Sequence, residues 1–217
     1  MKNRLQIITV LMCVIFSISF AQTENSVSFR YGFIGKKAAK QDSLYIVENE
    51  SPLKSGDLIK LNIEFTKGNY AYVVYLSSQN EYLLLYSSIL QDSKSRRNRV
   101  FSTLPWMELD ERTGLESFYF MVSDEQLVDF EKLLENYTRA KKKTKMKFHR
   151  RVQAAIEHLL AGKVREKSQS QVKRLKKPVI GGVTFRGSPM DVITERSLMY
   201  ESTGKGVASS VFLISHE

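Results

Sequence analysis

Cysteine occurs once in the sequence, at Cys13, and histidine three times, at His149, His158 and His216. One thiol cannot close a disulfide within the chain, which excludes a disulfide-stapled scaffold. A zinc site would need carboxylates to complete it. His149 and His158 stand nine residues apart on one predicted helix, which puts them on opposite faces. No metal and no cofactor is therefore expected, and all three histidines read as ordinary polar residues, two on a solvated helix and one at a strand end. A Gly-x-Ser-x-Gly elbow is absent, as is any cysteine in the body of the chain to act as a thiolate. Residues 182–188 approximate a phosphate loop without its lysine, and residues 203–206 are too short for one, so both read as turns. No internal repeat is found, and beyond residue 20 there is no apolar run of spanning length. Acids are the minority charge, 23 Asp+Glu against 33 Lys+Arg, for a formal net charge of +10.

What is present begins with a leader. Lys2 and Arg4 precede a nearly unbroken apolar run over residues 5–20, and Ser19 and Ala21 place small residues three and one before a cut. This layout predicts a secretory signal peptide at 1–21, a mature chain at 22–217 without cysteine, and no transmembrane helix once the leader is removed. The expected location is exported: periplasmic, cell-envelope or secreted. An oxidising compartment without disulfides leaves stability to packing alone.

The body of the chain changes period twice. Between residues 27 and 122 the apolar residues alternate in short segments, as in Ile59, Leu61, Ile63 and Phe65 against Lys60, Asn62 and Glu64. Lys67-Gly68-Asn69 and Ser78-Gln79-Asn80 read as turns of a three-strand antiparallel meander, with further strands at 27–33, 44–47, 100–104 and 115–122. Ser123 with Gln126 has the form of a capping box, followed by Leu127, Phe130, Leu134 and Tyr137 at helical spacing. A second helix is expected over 144–161, with Phe148, Val152, Ala155, Ile156 and Leu159 on one stripe. Residues 163–177 read as polar and mobile, and strands return at 179–185 and 207–215. The expected fold is mainly β (α+β): one antiparallel β-sandwich-like domain with two helices inserted before its C-terminal strands. Tyr70, Tyr72, Ile59, Leu61, Ile63, Phe118, Phe120, Leu213 and Ile214 should supply its core.

Charge is concentrated in one place. Residues 139–177 carry fifteen Lys+Arg and only Glu157 and Glu166 as acids, so the positive charge is a local device on an otherwise mildly acidic domain. Lys141, Lys142, Lys143, Lys145, Lys147, Arg150 and Arg151 are the candidate binding residues, running into an amphipathic helix that could meet an anionic surface or an acidic partner. A solvated outer face explains the same pattern with about equal weight. Export makes nucleic acid the disfavoured partner. Trp106 beside Glu108 and Asp110 forms a secondary candidate lip for saccharide or peptide, although a surface turn of that composition is commoner.

Leu53-Lys54-Ser55-Gly56-Asp57, then the alternating strand and Asn69-Tyr70-Ala71-Tyr72-Val73-Val74, resemble the opening of the bacterial domain of unknown function numbered 4384. The similarity continues through Pro105-Trp106-Met107-Glu108-Leu109-Asp110-Glu111, the segment from Thr113 to Ser123, and Ile180-Gly181-Gly182-Val183. Leu84-Leu85-Tyr86-Ser87 departs from the family's Leu-Phe-Pro ending. The resemblance implies an exported, accessory, interaction-type domain and transfers no catalytic residue. The resulting expectation is a non-catalytic binding or scaffolding domain of the bacterial cell envelope, with its basic helix against an acidic envelope protein or anionic surface. The alternative is an envelope enzyme acting on saccharide or peptide through Glu108, Asp110 or Glu116 near Trp106.

Overall fold

Strand β1 (Ser26–Lys37) shows why this chain makes sheets: Val27, Phe29, Tyr31 and Phe33 recur every second residue, and every one is buried. The computed structural model describes residues 26–90, 100–161, 171–174 and 197–217. The leader read at 1–21 and the strand read at 179–185 lie outside the described residues. β1 is followed by β2 (Lys40–Val47), β3 (Ser51–Leu53), β4 (Leu58–Lys67), β5 (Tyr70–Leu76), β6 (Tyr82–Ile89), β7 (Val100–Thr103), β8 (Met107–Glu108) and β9 (Gly114–Ser123). Two helices come next, α1 (Val128–Arg139) and α2 (Lys142–Leu160), and then β10 (Gln171–Arg174), β11 (Tyr200–Lys205) and β12 (Val207–His216). Among the described residues no helix is long and apolar enough to cross a membrane.

The strands form two packed sheets, so the domain is mainly β with a helical insertion, as the sequence predicts. One sheet runs β10-β11-β1-β4-β7, with β2 also on β1 and β8 on β4; the other runs β3-β12-β9-β5-β6. All pairings are antiparallel except β3 with β12. Tyr31 and Phe33 of the first sheet meet Phe118, Phe120 and Phe212 of the second, with ring centroids 4.2 Å apart for Tyr31–Phe120 and 4.6 Å for Phe33–Phe212. Such aromatic contacts between two inner faces are what a sandwich core requires.

The second sheet is buried on its other face as well. Tyr72, Val74, Met121 and Val207 pack beneath Phe130, Leu134 and Tyr137 of α1 and Val152, Ile156 and Leu159 of α2, giving a sheet–sheet–helix stack. Polar tips fix the helices in place. The Tyr72 hydroxyl donates to Glu131 Oε1 at 2.6 Å and accepts the Leu127 amide at 3.1 Å. The Tyr137 hydroxyl accepts the Tyr82 amide at 3.2 Å, and Ser209 Oγ donates to the Leu159 carbonyl at 3.0 Å.

Several local expectations are corrected. Lys67-Gly68-Asn69 is a corner and not a hairpin turn within one sheet, because β4 pairs with β1 while β5 pairs with β6 and β9. Gly68, at φ 146°, has Val122 Cγ1 2.4 Å from where a Cβ would sit, so the close approach of the two sheets demands glycine. Ser123 ends β9 and its hydroxyl bonds the Glu125 carbonyl, so it does not cap α1; that helix starts at Val128 without a side-chain cap. Within the stretch read as mobile, Gln171–Arg174 is an edge strand on β11. Tyr72 is core of the helix-facing layer, while Tyr70 and Leu213 are only half-buried.

Candidate functional site

α2 buries Val152, Ile156 and Leu159, and its opposite face carries Lys143, Lys147 and Arg150, all exposed, at i, i+4 and i+7. Arg151 flanks this row, its guanidinium 6.0 Å from the Phe148 ring centre. The seven basic candidates therefore do not share one face. Lys145 turns inward: its ammonium lies 2.7 Å from Glu81 Oε1 and 5.4 Å from the Tyr137 ring centre. That hydrogen bond raises the Lys145 pKa and lowers that of Glu81. Lys141 and Lys142 sit at the helix start, where the Lys141 carbonyl accepts the Thr144 and Lys145 amides.

The start of α2 contradicts its own backbone. Helix N-termini carry a positive partial charge that favours acids by about 0.3 to 1 kcal/mol each. α1 obeys, with Asp129 and Glu131 in its first turn, whereas α2 has no acid there, no side-chain cap, and Lys141, Lys142 and Lys143 instead. The first turns of the two helices therefore carry opposite charge, and only that of α1 complements the helix dipole.

Around Trp106 the chemistry differs from the expected acidic lip. Lys36 of β1 and Lys60 of β4 place their ammoniums 4.7 and 5.7 Å from the indole centre, a cation–π arrangement on the outer face of the first sheet. Glu108 is exposed in β8. Asp110 is exposed too, with Oδ1 accepting the Arg112 amide at 2.8 Å. Glu116, the third acid of the enzymatic alternative, is buried in β9, and its Oε2 accepts the Tyr75 hydroxyl and the Ser78 amide. Among the described residues no group of three or more His, Cys, Asp or Glu could hold a metal ion.

His216 ends β12 as the sequence predicts, whereas the solvated reading of His149 is corrected. His149 is half-buried, its ring 4.9 Å from that of Tyr82, and so is not fully solvated. His216 is buried, with Nε2 3.1 Å from Ser55 Oγ and Nδ1 3.5 Å from Glu116 Oε1. Nothing in local sequence points to this triple, because its members lie on three segments joined only by strand pairing. A separate cavity of about 470 Å³ opens between the start of α1, the end of α2 and the β11–β12 corner, lined by Asp124, Leu127, Phe130, His158, Leu159 and Val207 among others.

Comparison with known proteins finds no matching family model, no matching curated protein and no matching solved structure.

Proposed function

We propose that the chain is an exported binding domain of the bacterial cell envelope, whose partner is an acidic protein or anionic surface held by the outer face of α2. The observation that carries this reading is the placement of cations where they cost helix stability, continuous with the row Lys143, Lys147 and Arg150. Those three side chains are exposed and form no ion pair among the described residues. The leader layout read at residues 1–21 supports export.

The test compares residues 22–217 with the triple variant K143Q/K147Q/R150Q in a pull-down from envelope extract, both first verified as folded by circular dichroism. K145Q serves as a control, since Lys145 is already engaged by Glu81. The expected result is a partner retained by wild type and K145Q, lost from the triple variant, and released as salt shortens screening from about 10 Å at 0.1 M towards about 3 Å at 1 M. The same partners on wild type and triple variant would overturn the assignment of α2.

A further inference from the structure

We propose that Ser55 is an activated nucleophile for acyl transfer, with His216 as its general base and Glu116 as the residue that positions the imidazole. This inference goes beyond the binding role and is independent of α2. It rests on order, burial and register. Ser55 Oγ, His216 Nε2, His216 Nδ1 and Glu116 Oε1 follow one another at 3.1 Å and 3.5 Å across the ring, the sequence of atoms that a serine–histidine–carboxylate relay requires.

Strand pairing assembles the three. β12 lies between β3 and β9, with His216 opposite Leu53 on one side and Ile214 opposite Glu116 on the other. Glu116 continues the inward face of Phe118, Phe120 and Val122, and His216 continues that of Phe212 and Ile214. The sandwich core thus ends in a carboxylate and an imidazole whose side chains are 3% and 0% exposed. Ser55 closes this end from the β3–β4 turn, where Asp57 N bonds the Lys54 carbonyl at 3.0 Å and Gly56 takes φ 82°. Its residue is exposed while its partner is buried, so the hydroxyl stands between solvent and base.

Each member is restrained for the task. The Glu116 carboxylate is fixed through Oε2 by Tyr75 and Ser78, which leaves Oε1 towards His216. His216 Nδ1 has no other partner among the described residues. A proton on Nδ1 facing Glu116 leaves the Nε2 lone pair to accept from Ser55. The 3.5 Å separation is long for a hydrogen bond, and such contacts commonly tighten only when substrate is bound.

The step balances within these groups. Ser55 Oγ bonds to the acyl carbon as its proton passes to His216 Nε2; the acyl C–O bond breaks, and the leaving alkoxide takes that proton. Water then hydrolyses the acyl-serine by the same route. The exposed turn favours a solvent-accessible acyl ester. One expected source of oxyanion stabilisation is already used, since the Gly56 amide bonds the Leu109 carbonyl at 2.8 Å. Turnover should therefore be slow, and covalent labelling is the better readout.

The experiment exposes the folded 22–217 chain to a fluorophosphonate probe and follows adducts by peptide mass spectrometry. Ser43 and Ser87, both exposed, act as internal references that need no variant. Ser55 should label at least about 100-fold faster than either, the lower range of general-base catalysis. His216→Gln should abolish this preference, and Glu116→Gln should reduce the Ser55 to Ser43 labelling ratio, which a purely structural role would leave unchanged. Equal labelling of Ser55 and the reference serines in the native chain overturns the proposal, whether or not the variants fold.

Discussion

Lys37 and Asp57 form an ion pair at 2.8 Å that joins two turns, because the same carboxylate also accepts the Ala38 and Lys54 amides at 3.1 Å each. Ala38 follows β1 and Lys54 follows β3, so one buried acid holds both turns at the end of the sandwich that carries Ser55.

Burial pushes the Asp57 carboxyl up, but the Lys37 hydrogen bond and the two amides outweigh it and hold it below its ordinary value. A folded-state value below the unfolded one stabilises above the unfolded carboxylate pKa of about 3.9 and is lost as pH falls through the lower folded value. Asp57→Ala should cost about 1 to 3 kcal/mol at neutral pH, mostly from the amides, since Lys37 is itself half exposed. Acid unfolding followed by circular dichroism should show this difference shrinking below about pH 4. A constant difference down to pH 2 would refute the role assigned to the carboxylate.

Leu61 is fully buried on the inner face of β4. Leu61→Ala should cost about 2 to 5 kcal/mol in urea unfolding. Leu84, which is 39% exposed on β6, should lose less than about 1 kcal/mol on the same change. Equal effects would contradict the burial pattern.

The alternation that places Leu61 was legible in sequence, as were the apolar stripes of both helices, because each is a local consequence of strand or helix period. Neighbouring residues cannot say which sheet a strand joins. The turn at Gly68 has hairpin composition, yet the strands beside it pair elsewhere. Ser123 carried a capping signal that its place at the end of β9 overrode. The basic row on α2 was visible in sequence, but the inward turn of Lys145 depends on Glu81, and the lysines over Trp106 come from β1 and β4. In sequence, Ser55 reads as a turn residue, His216 as a strand end and Glu116 as a candidate acid near Trp106, since only the two-sided pairing of β12 unites them.

Gly32 is crossed by the chain leading into β11: an added Cβ would lie 1.6 Å from the Ser197 carbonyl oxygen. Backbone cannot yield as a flexible side chain can. Gly32→Ala should destabilise by at least about 3 kcal/mol. Gly56→Ala, where φ is 82° and the nearest atom lies at 3.3 Å, should cost only about 1 kcal/mol. Thermal melts of the two variants check the order.

Tyr72→Phe removes the hydroxyl shared by Glu131 and the Leu127 amide, and should cost about 1 to 2 kcal/mol. Hydrogen exchange should quicken first at the start of α1. By contrast, Glu81→Gln breaks an exposed pair and should change stability by less than about 0.5 kcal/mol.

The place of β12 in the second sheet has a consequence for biosynthesis. It is the last of the described strands to be made, yet it lies between β3 and β9 and ties residues 51–53 to residues 207–216. A nascent chain can form the β5–β6 hairpin early, but β3 has no neighbour until β12 emerges. Pairings of such long range are slow to close and leave apolar strand edges open meanwhile. Until β12 is made, β3 therefore lacks its strand partner among the described residues, and this end of the second sheet is completed last.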